Sequence, residues 1–341
     1  MKALTDMGSR AETSLRIHTL SDVRHETGWR REQNHGAHHA GGADGCRQAQ
    51  TPTLEEFLSA PVEAVRLIAP ATVVLGAGGT RRRAVLAGLS PQSKEYARWT
   101  REQAFACLDL ILDHGVRHVI APVLVHSHEH ETTPGYSDQL LKWVQWAMLM
   151  DGAGEEYARR GWRVRLIGAE SWPELEETAA RVRAMTAGNP GPTVWFSVVS
   201  QVEAHWQVML RLACERRAST REELVRLMYG EDVPPATLYI GTGKPQIAQS
   251  VVPPLLAGKL ECYWRQHLGY DLDERTLRTI LYDYAYVRCI TQADKTGRAE
   301  QVLAYETAWE DPPVVGMGMR LGPFWYPAPV EAPIVNHRQA P

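Results

Sequence analysis

One run of the chain holds residues suited to gripping an anion: Gly76-Ala77-Gly78-Gly79-Thr80-Arg81-Arg82-Arg83. Its three glycines let the backbone turn tightly and aim N–H groups inward, the Thr80 hydroxyl adds a donor, and three successive guanidinium groups offer charge-assisted, bidentate contacts. That is a cradle for a phosphate or diphosphate; a solvated basic turn is the plainer alternative. It is not a Walker loop, which needs G-x-x-x-x-G-K-[ST], nor a dinucleotide fingerprint, because G-x-G-x-x-G fails at Arg81. A second cluster is His126-Ser127-His128-Glu129-His130-Glu131. On an extended segment alternate residues project to one face, so His126 and His128 have spacing usable for a metal or a base, or are merely exposed. Trp143, Trp146 and Met150 recur at spacings of 3 and 4, an apolar helical stripe that suits a core or a hydrocarbon pocket. Between Glu274 and Arg288, Leu277, Ile280, Tyr284 and Val287 mark a helix face, with Tyr282 and Tyr286 beside it as packing residues or pocket candidates.

These groups need a scaffold, and the chain supplies an alternating one. Thr72 to Leu75, His118 to Val125, Arg163 to Ile167, Thr193 to Val199 and Ala236 to Ile240 are short apolar runs rich in β-branched residues, each of strand length. Between them Gln92 to His114, Asp138 to Arg160, Pro173 to Met185 and Gln201 to Met228 carry helical spacing. Thr53 with Glu56 has capping-box spacing and opens an amphipathic stretch to about Ile68; Ser219 with Glu222 repeats it and breaks the last helix near Ala218. Alternating strands and helices predict an α/β fold, a mostly parallel sheet flanked by helices. In such sheets ligands bind beyond the carboxyl ends of the strands, so the loops after Leu75, Val125, Val199 and Ile240 are the places to search.

Composition sets the outer bounds. Of 341 residues, 44% are hydrophobic and 23% charged, ordinary usage for a folded globular chain. Lys+Arg 37 against Asp+Glu 40 leaves a net −3, which gives no broad field for nucleic acid, so an anion site must be local. Five scattered cysteines without a C-x-x-C pair form neither a zinc frame nor a disulfide lattice and suit a reducing, cytoplasmic setting. No apolar run approaches the roughly 18 residues a transmembrane segment needs. Residues 1–50, polar and rich in Gly, His, Arg and Gln, are expected to be a flexible extension, 51–330 one α/β domain, and 331–341 a tail.

The blocks GGTRRR, SPQSKEY and LDHGVRHVIAPVL, followed by STREELVRLMYGEDV, LYIGTGK, PPLLAGKLECYW and ERTLRTILYDYAYVR, resemble the cis-prenyltransferase superfamily. Within it they are most similar to the tuberculosinol synthase and kolavelool synthase branch. The resemblance spans about residues 53 to 326. It implies a cis-prenyltransferase-like fold, a homodimer, and a diterpene synthase. Such an enzyme takes a cyclised, bicyclic diterpenyl diphosphate made by an upstream cyclase, ionises off the diphosphate and quenches the cation with water to give a terpene alcohol. A nucleoside or other acceptor in place of water, or a non-catalytic partner subunit, are the alternatives.

Carried over residue by residue, the resemblance makes Thr80, Arg81 and Arg82 diphosphate-binding residues, with Gly78, Gly79 and Arg83 beside them. Arg82 and Tyr96 become catalytic. The loop Asp that the family uses with Mg2+ falls on Gly78, so a magnesium requirement is open and the arginines are expected to neutralise the leaving group. Arg83 stands where the family has an aromatic residue, as a substitute cation or a solvated one. Elongating members supply a second diphosphate site with an Arg-rich segment; here Gly241-Thr242-Gly243-Lys244-Pro245-Gln246 offers one cation, which disfavours elongation. The D-D-x-x-D of ionising terpene synthases is absent, and Asp271-Leu272-Asp273-Glu274 reads as the start of a helix, with acids near its positive end.

Overall fold

Strands of β-branched and aromatic residues pair into a single parallel sheet at the centre of the chain. A computed structural model describes residues 51–199, 201–243, 246–288, 296–297, 299–306, 318–321 and 324–326. The expected extension at 1–50, the tail at 331–341, Lys244 and Pro245 all lie outside them. The strands are β1 (Thr72–Gly76), β2 (His118–Pro122), β3 (Arg163–Ile167), β4 (Thr193–Ser197), β5 (Ala236–Thr242) and β6 (Ala257–Arg265). Their order is β3-β4-β2-β1-β5-β6, with every neighbouring pair parallel. The predicted mostly parallel α/β sheet is what forms, and β6 is an additional edge strand that the sequence reading did not contain.

Register explains the apolar runs. Val74 pairs with Ile120 on one side and with Tyr239 on the other. Alternate residues then face opposite cores: Val73, Leu75, Val119, Phe196 and Ile240 enter one, while Val74, Ile120, Trp195 and Tyr239 enter the other. A sheet covered on both faces has no polar side to show, so its strands read as continuous hydrophobic stretches.

The first core is covered by α4 (Lys94–Asp113), α6 (Tyr136–Leu149), α7 (Ala153–Arg160), α8 (Pro173–Met185) and α11 (Glu274–Tyr282), and the second by α10 (Arg221–Tyr229). Helix α9 (Val202–Arg216) sits against α10. The stretch Asp138 to Arg160 is two helices rather than one: Gly152, at φ 79, caps α7 in a left-handed conformation that a side chain would strain. Helix α10 starts one residue later than expected, with Thr220 and Glu223 forming the capping box. The Thr53 and Glu56 box is present and opens α1 (Leu54–Ser59), which Pro61 separates from α2 (Val62–Arg66). Asp273 caps α11, its carboxylate accepting the Thr276 N–H at 2.7 Å, so the acidic stretch is a helix start as read. Strands Met319–Leu321 and Phe324–Tyr326 form a small antiparallel pair. Among the described residues no helix is long and apolar enough to cross a membrane.

Because β1 lies between β2 and β5, the chain leaves these strands toward opposite sides of the sheet. Their carboxyl ends border the crevice where such folds bind ligands.

Candidate active site

The glycine-arginine run leaves β1 and at once becomes a helix. Gly79, at φ 79, is the N-cap of α3 (Thr80–Leu86), so Thr80, Arg81 and Arg82 form its first turn and their N–H groups have no acceptor within the helix. The Gly78 carbonyl is fixed from two directions, accepting the Thr242 hydroxyl at 2.8 Å and the Gly269 N–H at 2.8 Å. Arg82 folds back over the turn: a Cβ on Gly79 would stand 2.9 Å from its Nη2. Glycine at 79 is therefore needed for both the backbone angle and the space.

Tyr96 meets this turn from α4. Ser93 caps α4 by accepting the Tyr96 N–H at 3.1 Å, which seats the tyrosine in the first helical turn. Its buried phenol shares a 3.1 Å hydrogen bond with the Thr80 hydroxyl, and the Trp143 ring meets it edge-on at 5.3 Å. Behind them lies a cavity of about 680 Å³, within the range of about 300–1,000 Å³ typical of small-ligand sites. Gly76 to Arg82, Thr242 and Gly243 line its polar end. Ala97, Ala104, Leu140, Trp143, Val144 and Met148 line its apolar walls. From Tyr136 to Met148 the α6 wall spans about 18 Å at 1.5 Å per residue.

The three arginines differ. Arg81 lines the cavity, stacks 4.4 Å from the Tyr136 ring centre and pairs with Glu131 at 3.2 Å. Arg82 lines the cavity beside Gly79 and Gly243. Arg83 turns to Asp271 at 3.1 Å and does not line the cavity, so the structure does not bring it together with Arg81 and Arg82 as expected of a diphosphate ligand.

The histidine cluster is also rearranged. His126–Glu129 is a helical turn, α5, not an extended segment, and this brings His126 to His130, with their Nε2 atoms 3.1 Å apart, instead of to His128. His128 alone lines the cavity. Burial first and the Arg81 charge second hold its imidazole below the ordinary histidine value. Its Nδ1 accepts the Val125 N–H at 3.3 Å, so the neutral ring carries its proton on Nε2.

Of the pocket candidates, Trp143 belongs to the cavity and Trp146 does not. Tyr282 and Tyr286 are elsewhere: they pack on Phe57 at 5.7 and 5.9 Å, and Tyr282 donates to the Pro52 carbonyl at 3.0 Å. Thr100, Arg101, Tyr136 and Tyr270 are among the lining residues that the sequence did not point to. Thr100 and Arg101 had a readable signal, two polar residues on a helix face otherwise made of Ala97, Ala104 and Leu108.

The resemblance raises Mg2+, and the donor set does not fit it. Magnesium is held by one or two carboxylates together with substrate phosphates. No Asp or Glu lines the cavity among the described residues. At Gly78 an added Cβ would stand 3.1 Å from the Thr242 hydroxyl and 3.3 Å from its carbonyl, so the backbone there is closed in. What faces the polar end is guanidinium, hydroxyl and backbone N–H.

The chain is 43% identical over 277 residues to a (+)-kolavelool synthase of Herpetosiphon aurantiacus, covering 81% of this chain and 96% of that protein. It belongs to the kolavelool synthase family. The family is one of terpene synthases, so the chain is an enzyme and not a non-catalytic partner subunit. A tuberculosinyl adenosine transferase of Mycobacterium tuberculosis is 27% identical over 260 residues, covering 69% of this chain and 83% of that protein. No family model matches the chain. Among solved structures, lavandulyl diphosphate synthase from Lavandula x intermedia, in complex with dimethylallyl diphosphate, aligns with a TM-score of 0.52 at 17% identity, covering 66% of this chain and 98% of that one. The fold is thus that of the cis-prenyltransferases, as the sequence blocks implied.

Proposed function

We propose that this member of the kolavelool synthase family is a diterpene synthase that converts a bicyclic diterpenyl diphosphate into a terpene alcohol and pyrophosphate. The observation that carries the reading is the division of one cavity into a guanidinium-rich end at Gly76 to Arg82 and apolar walls on α4 and α6. A molecule with a diphosphate head and a hydrocarbon body matches both parts.

Arg82, Arg81 and Thr80 hold the head. Ionisation breaks the C–O bond and adds one negative charge to the departing diphosphate, and the fixed guanidinium groups favour that charge more than the ground state. The Tyr96 and Trp143 faces stand next to the carbon that becomes positive and stabilise it through their ring quadrupoles. Apolar walls keep bulk water from the cation. One water then forms the new C–O bond, and its proton goes to the diphosphate. Nothing in this sequence of steps uses a residue able to start cyclisation, so the ring system arrives already made by an upstream cyclase. A homodimer in the cytoplasm is the setting the fold family suggests.

Purified enzyme incubated with a bicyclic diterpenyl diphosphate releases pyrophosphate and an extractable alcohol in equal amounts. A parallel reaction with adenosine gives the same alcohol. An adenosine adduct in place of the alcohol would assign the enzyme a transferase activity instead, and no pyrophosphate from any terpenyl diphosphate would reject the reading.

A further inference from the structure

Quenching a cation with water inside an apolar cavity requires a place for one water and a group that orients it. Thr100 lies on α4, four residues after Tyr96 and so one turn along the same face. It lines the large cavity, and its hydroxyl is buried with no hydrogen-bond partner among the described residues. A helical threonine usually bonds back to the carbonyl one turn earlier; this one does not. A buried hydroxyl without a partner costs about 1–3 kcal/mol in lost solvation, so its retention here calls for a ligand.

The same residue also lines a much smaller recess between α4, α3 and the turn at Gly269 to Asp271. That recess measures about 10 Å³, the space of a single water. Residues with polar side chains border it, namely Thr80, Arg83, Thr100, Gln103, Tyr270 and Asp271, and a buried water takes two to four such partners. Thr80, Thr100 and Tyr270 border both spaces. Burial pushes the Tyr270 phenol well above its ordinary value, so at neutral pH it stays protonated and can donate.

We propose that Thr100 holds the nucleophilic water, drawn from this recess, and aims it at the cation beside the diphosphate. The inference rests on the proposed alcohol-forming function. The water oxygen forms the C–O bond. The proton it sheds goes to the departed diphosphate, whose head sits by Thr80, itself 3.1 Å from Tyr96. Substrate and water in, alcohol and hydrogen pyrophosphate out, the step balances.

If water is not presented, the cation loses a proton and leaves as a hydrocarbon. The readout is therefore the ratio of alcohol to hydrocarbon, which does not depend on the overall rate. In Thr100→Val, which keeps the shape and removes the hydroxyl, the ratio falls about fivefold, the worth of one lost hydrogen bond. In Thr100→Ser it returns to near the wild-type value. Thr100→Ala serves as a second hydroxyl-free variant and shifts the ratio in the same direction. An unchanged ratio in both Thr100→Val and Thr100→Ala would overturn the assignment while leaving the alcohol synthase reading intact. A wild-type enzyme that makes no alcohol would instead overturn that reading, and the water site with it.

Discussion

Replacing the three arginines of α3 one at a time separates their roles, because the structure gives each a different neighbour. Two unit charges about 4 Å apart interact by about 4 kcal/mol at the effective dielectric of a protein surface, and ionisation adds one charge to the diphosphate. Arg82 is half-buried and faces the cavity beside Gly79 and Gly243. Discounted for its partial exposure, its removal costs about 3–4 kcal/mol of transition-state stabilisation, or about 10²–10³ in kcat. Arg81 is 42% exposed and shares its charge with Glu131 at 3.2 Å, so Arg81→Ala costs about tenfold. Arg83 gives its charge to Asp271 and lies outside the cavity lining, so Arg83→Ala stays within about threefold. Single-turnover pyrophosphate release reads the order, with inorganic pyrophosphate inhibition as a check on ground-state binding and thermal melting as a check on folding. Arg83→Ala as damaging as Arg82→Ala, in a protein that melts normally, would refute the assignment of charge to the cavity. Arg82→Ala within threefold of wild type would refute the cradle itself.

Two further outcomes follow from the same structure. With guanidinium where a magnesium site would need carboxylate, excess EDTA changes the rate by less than about threefold, measured against the same assay with added Mg2+. His118 is buried under β4, its Nδ1 accepting the Trp195 indole N–H at 3.2 Å, and burial followed by the charges of Arg117 and Arg163 holds it down at about 4. Since the unfolded chain binds that proton near 6.5 and the folded one does not, stability is full above about 6.5. It declines as pH falls toward 4, by up to about 3 kcal/mol. Urea midpoints across this range show a slope that His118→Gln flattens.

Periodicity made the central sheet legible because strands buried on both faces must be apolar throughout. Strand β6 escaped for the converse reason: it pairs on one side only, at the sheet edge, and carries Gly258, Lys259 and Glu261 among residues that are mostly part-exposed. The diphosphate turn was legible from composition, yet its conformation was not. A left-handed Gly79 converts the arginine run into a helix start, which sends Arg82 to the cavity and Arg83 to Asp271. The histidines failed through the same cause, since a helical turn and an extended segment present different pairs from identical letters. Tyr282 and Tyr286 were beyond reach from sequence because Phe57, their partner, lies more than 200 positions earlier.

Arginines line the cavity both in the turn after β1 and on α4, and they do different things. Arg101, the residue after Thr100 on α4, is 8% exposed, donates to the Ala147 carbonyl at 2.8 Å and to Glu156 at 2.6 Å, and lies 4.0 Å over the Phe105 ring. Its charge is matched by a carboxylate that Arg101 and Arg160 together keep ionised against its burial. The Arg101 charge is thus committed to Glu156, whereas Arg82 stands in the turn after β1. At the polar end the departed diphosphate is the dominant nearby anion, and at about 4 Å it holds the carbocation by about 4 kcal/mol. In the proposed mechanism this attraction keeps the cation by Tyr96 and Trp143, the aromatic rings next to the Thr80 hydroxyl. The proposed quenching then falls within one helical turn of Tyr96, where the unpartnered hydroxyl of Thr100 and the water-sized recess lie.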